Sequence, residues 1–495
     1  MSSTSHRPSP TLEASEQSHS AHPRRWAAAV VMILAALLDM IDGSIVNTAL
    51  PSIGRGLHTS PAELQWTVSA YLLGFAATLI IAGHLGDRYG RKPLFLTGVA
   101  AFAVASLASS IADSPSHLIA ARAVQGVAAA VLMPQVLASF RVMFDGAERG
   151  KVFALYGAIA GIATAVGVLL GGVLTDWNLF GWGWRTIFAV NIPLAVVVLV
   201  LGALWIPGSR ERAAGRVNLP ANVLLAACLV AIVLPLVEGR SYGWPTWGWF
   251  CLGGGVAGLI LLSLVQSLRG RSRGTTYPLL PTRLFRARAF SAGLLIQMLF
   301  FGAMSGFMLA FTLWLQSGQD YSPAQAGLLM VAFSGGAFVT APIVDGLVVK
   351  YGRSVLIFGG AVMAGGFFWT QFAARHAADV HTGAWPLVPG LVVAGAGLGL
   401  LIVPLANVVL TAVPAELAGG ASGVFSTAQQ FGGALGVAVI GNVFFANLGG
   451  GSANGMTNGI AHAGPWAVAA FGLCTLLCFA LPRQSVTAHH EPGAA

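Results

Sequence analysis

Three ionisable side chains fall within long apolar stretches of this sequence. Asp39 and Asp42 lie three residues apart in the stretch 26–50, and Arg122 lies in the stretch 117–140. Residues spaced by three share one face of a helix. Two carboxylates in a medium of low dielectric do not both ionise readily, so one of them is suited to take up and release a proton. The pattern predicts a proton-coupling site with Arg122 as the partner charge.

Each of these three residues also has a simpler interpretation, which the sequence leaves open. Asp42 and Arg122 are also compatible with a purely structural ion pair between helices. Asp39 is compatible with a solvated cavity residue, or with a contact for a cationic substrate. An ionisable group in the middle of a bilayer is costly, which favours the functional interpretation for all three.

A second group of charges lies in a short link, GHLGDRYGRKP (83–93), between two apolar runs. Four charged side chains fall within six residues there, and glycines between them permit a sharp reversal and close helix approach. We predict a conformational-switch loop at the membrane surface whose charges exchange partners between two states. Simple membrane anchoring by its basic residues is the alternative. The loop comprises Gly83, Gly86, Asp87, Arg88, Gly90, Arg91 and Lys92.

The composition of the chain excludes an ordinary soluble core. Of its 495 residues, 56% are hydrophobic and 9% are charged, whereas soluble proteins carry about 25% charged residues. A bilayer supplies the apolar outer solvent that such a chain requires. The apolar runs extend over roughly 20 residues, the length of a transmembrane helix. The predicted fold class is therefore an all-α polytopic membrane protein.

The apolar runs number fourteen, which places both termini on one side of the membrane. With the termini in the cytoplasm, the inner segments hold 21 of the 26 Lys and Arg residues and the outer segments hold four. This asymmetry agrees with the positive-inside rule, and it explains the net charge of +9 without a nucleic-acid partner. The runs lie at about 26–50, 65–83, 93–112, 117–140, 152–175, 185–206, 218–238, 246–268, 289–316, 324–349, 354–373, 385–411, 420–447 and 462–481.

The longest basic connection, 269–290, follows the eighth run and divides the spans into six, two and six. The middle pair holds few polar residues away from its ends and has the pattern of a spacer. Lys350-Tyr351-Gly352-Arg353 repeats the pattern Arg88-Tyr89-Gly90-Arg91 at the same place in the second half. Repeated halves around a central cavity are typical of secondary transporters. The predicted units are a disordered cytoplasmic tail (1–23), a six-helix bundle (24–208), a two-helix insert with its basic linker (209–288), a second six-helix bundle (289–482) and a cytoplasmic tail (483–495).

Six amides within the spans are predicted to line a substrate cavity. A large, mostly apolar cavity with one or two acids suits amphipathic or cationic compounds. Sugars would require many more hydrogen-bonding groups. The six residues are Asn47, Gln135, Gln297, Asn407, Gln429 and Gln430.

Several segments of the sequence resemble motifs of a known family. GHLGDRYGRKP is similar to the signature loop of the major facilitator superfamily, and DGSIVNTALPSI (42–53) resembles a first-span motif of its fourteen-spanning drug:proton antiporters, the EmrB/QacA-type group. ARAVQGVAAAVLMP (121–134) and GWRTIFAVNIP (183–193) resemble motifs of the fourth and sixth spans. The likeness runs from about residue 26 to 481. It implies the twelve-helix transporter fold with two inserted helices, alternating access and proton-driven export.

The fifth span departs from that group in one position. The run GAIAGIATAVGVLLGGVLTD (157–176) carries Val168 where the resemblance leads us to expect proline, so a helix kink is missing. Its glycines still recur about every four residues and predict a stripe for tight helix packing. They are Gly157, Gly161, Gly167, Gly171 and Gly172.

We therefore expect a monomeric, proton-coupled exporter of amphipathic or cationic drugs in a bacterial cytoplasmic membrane. It would use the bilayer and a small lipophilic substrate as partners, with the proton as coupling ion and neither metal nor other cofactor. A dedicated exporter of one metabolite, such as a self-made antibiotic or an amino acid, is the alternative within transport. A membrane sensor or an intramembrane enzyme is the remote alternative. The sequence carries no Walker loop, no HExxH motif and no nucleophile elbow to support it.

Overall fold

The computed structural model of the chain describes residues 24–208, 219–269, 282–376, 383–413, 418–448 and 453–482. Within these ranges the backbone is helical and contains no strand, so the prediction of an all-α fold is confirmed. The predicted tails and most of the basic connection lie outside the described residues.

The helices fall into three sets along the chain. The first set is α1 (Arg25–Leu57), α2 (Pro61–Tyr89), α3 (Arg91–Ser110), α4 (Pro115–Met143), α5 (Gly146–Trp177), the short α6 (Thr186–Ala189) and α7 (Asn191–Trp205). The second set is α8 (Leu219–Glu238) and α9 (Thr246–Arg269). The third set is α10 (Arg288–Leu313), α11 (Pro323–Tyr351), α12 (Ser354–His376), α13 (Val388–Thr411), α14 (Ala418–Ala446) and α15 (Ala453–Leu477).

Thirteen of the described helical segments are long and apolar enough to cross a membrane. They correspond to all the predicted spans except 152–175. That span coincides with α5, a helix of 32 residues. Its described apolar segment, Ala165–Trp177, is shorter than the thirteen segments that could cross a membrane. The count of fourteen therefore stays a prediction. We call the end of the bundle where α1 begins and α2 ends the terminal face, and the opposite end the distal face.

The second helix of each half begins with the same local structure. Ser60 caps α2 and Ser322 caps α11, each in a reciprocal capping box that is followed by a proline in the first turn. Such boxes satisfy two of the free N–H groups at a helix start. Both helices end at a glycine with positive φ, Gly90 at 101° and Gly352 at 56°. The repeat seen at residues 88–91 and 350–353 therefore extends to both ends of these helices.

Helices α1 to α7 pack on one another, as do α10 to α15, and α5 meets α11 and α2 meets α14 between the two halves. Helix α8 packs on α9, α2 and α14, so it contacts both halves. The spacer interpretation of this pair is wrong for α8, because its polar groups are bonded to both halves. Asn222 donates to the Ala77 carbonyl of α2 at 3.0 Å, and the Leu236 carbonyl accepts from Asn442 of α14 at 3.1 Å.

Candidate functional site

The first half contains a buried ion pair between Asp42 on α1 and Arg122 on α4. Arg122 Nη1 donates to Asp42 Oδ2 at 2.5 Å, and the two residues are 2% and 0% exposed respectively. Removing two charges from water is costly, and the attraction between them offsets that cost only when the remaining donors and acceptors are also satisfied. The surroundings of the pair therefore determine whether this arrangement is stable.

Amide side chains complete the coordination of the Asp42 carboxylate. Its Oδ1 accepts from Gln125 at 2.8 Å and from Asn191 at 2.9 Å. Gln125 also accepts from Arg122 at 2.6 Å and donates to the Ser106 hydroxyl at 2.9 Å. The network thus joins α1, α3, α4 and α7 in one place, so that a change in the charge of Asp42 acts on four helices at once.

Asp39 lies beside this network but has a different environment. It is half-buried and accepts a hydrogen bond from the Tyr71 hydroxyl. The Arg122 guanidinium lies 4.2 Å from the centroid of the Tyr71 ring, a cation–π distance. The structure therefore brings Asp39, Asp42 and Arg122 into one cluster. Tyr71 links Asp39 to the buried Asp42–Arg122 pair.

The α1 surface next to the ion pair faces open space. Gly43 is exposed, and a Cβ built on it would meet no heavy atom within 4 Å. Asn47, one turn further, is half-buried and donates to the Gly43 carbonyl at 3.1 Å. The buried Asp42 carboxylate therefore lies one residue from an exposed position on α1.

The other predicted cavity residues occupy different places. Gln297 donates to Gln429 at 3.1 Å and so joins α10 to α14 within the second half. Gln430 is half-buried, and Asn407 is exposed on α13. Gln135 is buried and donates to the carbonyls of Ala82 and Val131, so the structure does not bring it together with the other amides. Its role here is to join α4 to the end of α2.

The predicted switch loop is held by its own half of the protein. Arg91 donates to Asp87 and to the Ala138 carbonyl, both at 3.3 Å, and Lys92 donates to the Ala203 carbonyl at 2.7 Å. Arg88 lies over the ring of Tyr89, at 5.4 Å from its centroid. These contacts fix the loop against the ends of α4 and α7 at the terminal face.

Two glycines of this loop differ in their surroundings, which leads to a prediction. A Cβ at Gly86 would lie 2.0 Å from Gln135 Oε1, whereas one at Gly83 would meet nothing within 4 Å. We expect Gly86→Ala to displace the Gln135 amide and to lower the free energy of unfolding by about 1–3 kcal/mol, the cost of a buried polar group that loses its partner. Gly83→Ala is the matched control. Equal thermal unfolding of the two purified variants would contradict the assignment of Gln135 to helix packing.

The glycines of α5 have three kinds of surroundings. Gly167 and Gly171 face α1, where added Cβ atoms would lie 2.0 Å from Ser44 Oγ and 2.6 Å from the Ile45 carbonyl oxygen. Gly172 faces α11 of the other half, where an added Cβ atom would lie 2.3 Å from the Pro323 carbonyl oxygen. Gly157 meets open space. The surroundings of Gly161 lie outside what the structure describes.

The two halves are joined near the distal face by polar contacts as well. Asp176, at the end of α5, accepts from the Ser322 hydroxyl at 2.7 Å and from the Ala324 backbone N–H at 3.0 Å. Gln316 donates to the Thr48 carbonyl at 2.6 Å. A carboxylate at a helix N-terminus is favourable because the free N–H groups there carry partial positive charge. Asp176 is a functional contact that the sequence analysis did not identify, and the Ser-Pro start of α11 is the signal that could have indicated it.

The architecture and the site together define a helical membrane transporter. Two repeated halves meet along a seam, and one half encloses a buried ion pair beside an accessible helix surface. Within the described residues no group of three or more His, Cys, Asp or Glu side chains could hold a metal ion.

The sequence profile of the Major Facilitator Superfamily matches residues 32–437, and the chain belongs to that superfamily. The chain is similar to a probable actinorhodin transporter of Streptomyces coelicolor, with 36% identity over 430 residues that cover 86% of this chain and 74% of the relative. It is also similar to the puromycin resistance protein pur8 of Streptomyces alboniger, with 33% identity over 491 residues that cover 96% and 94%.

A solved structure of PepTSo2 shares the fold. It matches with a TM-score of 0.65 at 17% identity, over 92% of this chain and 98% of that one. The prediction of a multi-pass transporter with the major facilitator fold is therefore confirmed, and the chain is a transporter rather than an enzyme.

Proposed function

We propose that this protein is a proton-coupled exporter of amphipathic or cationic drugs or antibiotics that works by alternating access. The observation that carries the proposal is the buried Asp42–Arg122 pair, enclosed by amides and adjacent to an accessible surface of α1. The finer parts of the proposal are membership of the fourteen-spanning EmrB/QacA-type group, a bacterial cytoplasmic membrane, cytoplasmic termini and a monomeric state.

The geometry supports a specific order of events. A proton on Asp42 would cancel the charge that holds Arg122, and the guanidinium would then seek another acceptor. Tyr71 and Asp39 lie on the side where that acceptor is available. Because four helices share the Asp42 network, this exchange would shift their packing and favour a different arrangement of the two halves. A ligand can bias such an equilibrium only by its different affinity for the two states.

The seam between the halves supports an assignment of the described conformation. Close approaches of α5 to α11 include Gly172 against Pro323 at the distal face and Gly327 against Val168 one turn further along α11. Nearer the terminal face, Cβ atoms built on Gly157 of α5 and Gly346 of α11 would meet no heavy atom within 4 Å. With the terminal face in the cytoplasm, this is a state closed to the outside.

A dedicated exporter of one compound is the second candidate, and the names of two relatives favour it. One is named for the single compound actinorhodin and another for resistance to puromycin. The two candidates share the proposed proton mechanism and differ in substrate breadth. A panel of unrelated lipophilic cations and antibiotics distinguishes them, because a dedicated exporter transports one chemical class within the panel.

The proposed mechanism is tested by reconstitution of the purified protein into vesicles with an imposed pH gradient. We expect accumulation of a fluorescent lipophilic cation that collapses when a protonophore dissipates the gradient. Empty vesicles and vesicles without a gradient serve as controls. Equal uptake with and without a difference in pH would contradict proton coupling, and failure across the whole panel would contradict the substrate class.

A further inference from the structure

A groove at the distal face has no role in the mechanism above. It lies between the end of α8 and the end of α14, with a cavity volume of about 330 Å³, within the range of small-ligand sites. Its walls include Leu236, Val439, Val443 and Ala446, and its polar groups are Arg240 and Asn442. The lining is thus apolar with a cation at one end.

The chemistry of this groove points to an amphipathic anion. Arg240 is exposed and forms no ion pair within the part of the chain that the structure describes. The nearby acid Glu238 is engaged elsewhere, since it accepts from Trp66 Nε1 at 2.8 Å. A guanidinium binds phosphate oxygens in a fixed, bidentate geometry. A ligand that matches the groove therefore carries an anionic phosphate and an apolar chain.

The surrounding loop places the groove at the level of lipid headgroups. Trp244 lines it, and its ring packs at 6.0 Å from that of Trp249, while Tyr242 packs at 6.3 Å from Trp247. Clusters of Trp and Tyr mark the membrane–water interface. Trp244 adopts φ of 55°, which is unusual for a bulky residue, and its backbone N–H donates to the Gly239 carbonyl at 2.6 Å. The tight turn holds the indole against the groove.

We propose that the groove binds an anionic phospholipid from the leaflet at the distal face. The phosphate pairs with Arg240, and an acyl chain lies along Val439 and Val443 between α8 and α14. The lipid occupies the junction of the insert with the second half, because the groove lies between α8 and α14. Helix α8 is also bonded to α2 of the first half. Occupancy by the lipid therefore responds to the movement of α14 relative to α8.

Native mass spectrometry of the purified full-length protein tests the proposal. The probes are phosphatidylglycerol and phosphatidylcholine with identical acyl chains, which differ in net charge. We expect the protein to retain phosphatidylglycerol in preference, and Arg240→Gln to reduce that preference about fivefold, the effect of one basic residue near an anionic membrane surface. Arg55 is an exposed cation at the end of α1, on the same distal face of the bundle. Arg55→Gln is therefore the matched control and is expected to leave the preference unchanged.

A second variant tests the groove rather than the charge. Val439→Trp fills it while Arg240 stays in place, so we expect lower retention of both lipids, with unchanged thermal unfolding as evidence of folding. Equal effects of the Arg240 and Arg55 substitutions, or full lipid retention by Val439→Trp, would overturn the proposal. A lipophilic cation that displaces the bound lipid as effectively as added phosphatidylglycerol does would also overturn the proposal. That result would make the groove a drug site.

Discussion

Asp42→Asn is expected to abolish transport against a gradient, with a loss of at least about 100-fold in accumulated substrate, while exchange down a gradient continues. Asparagine keeps the shape of aspartate but has one acceptor oxygen in place of two, so it can accept either from Gln125 and Asn191 or from Arg122. It cannot take up and release a proton. Substrate counterflow and pH-driven accumulation, measured in the same vesicles, separate the two activities. Loss of 100-fold corresponds to about 2.7 kcal/mol of coupling.

The buried partner of Asp42 complicates this experiment and also improves it. Breaking one side of a buried ion pair costs about 3–5 kcal/mol because the other charge is left uncompensated. The single variant is therefore expected to unfold at lower temperature. Replacement of both residues leaves no uncompensated charge in the interior, so Asp42→Asn combined with Arg122→Gln should recover part of the thermal stability and still fail to couple. Uphill transport by the stable double variant would remove Asp42 from the mechanism.

Much of this site could be predicted from the sequence because of what charge costs in a membrane. Asp39, Asp42 and Arg122 stand out by being ionisable within apolar runs, and the structure places all three in one cluster. The amides around them could not be singled out in the same way. Gln125 and Asn191 surround Asp42, whereas Gln135 packs against α2, and nothing in their residue type or local pattern separates the two roles.

The fold was predictable for a similar reason, and its details were not. Long apolar runs of fixed length and the distribution of basic residues predict helices and their alternation. The role of α8 depends on tertiary contacts: the hydrogen bonds from Asn222 and Asn442 that fix it to both halves involve partners 145 and 206 residues away. The hydrogen bond from Ser322 to Asp176 likewise joins residues that are 146 positions apart. Such pairings become visible only when the halves are placed side by side.

The glycines of α5 show most clearly what a periodic pattern leaves undetermined, and they give the second large effect. We expect Gly172→Val to reduce transport more than tenfold, because the added Cβ would lie 2.3 Å from the Pro323 carbonyl oxygen and 2.7 Å from Ala324 Cα. These are backbone atoms of α11, which cannot rotate away as a side chain can. The halves would then be unable to close at the distal face, and the alternation of states would stop.

Gly157→Val is the matched control, since it introduces the same β-branched residue into the same helix at a position with open space around it. Both variants carry a similar cost in helix propensity, so that cost cancels in the comparison. Asn47→Cys, in a variant without the four native cysteines, reports access from the distal face to a membrane-impermeant thiol reagent. We expect faster labelling with Gly172→Val and unchanged labelling with Gly157→Val. Equal loss of transport in both variants, with unchanged labelling, would show that these glycines act through the flexibility of α5 rather than through closure of the two halves.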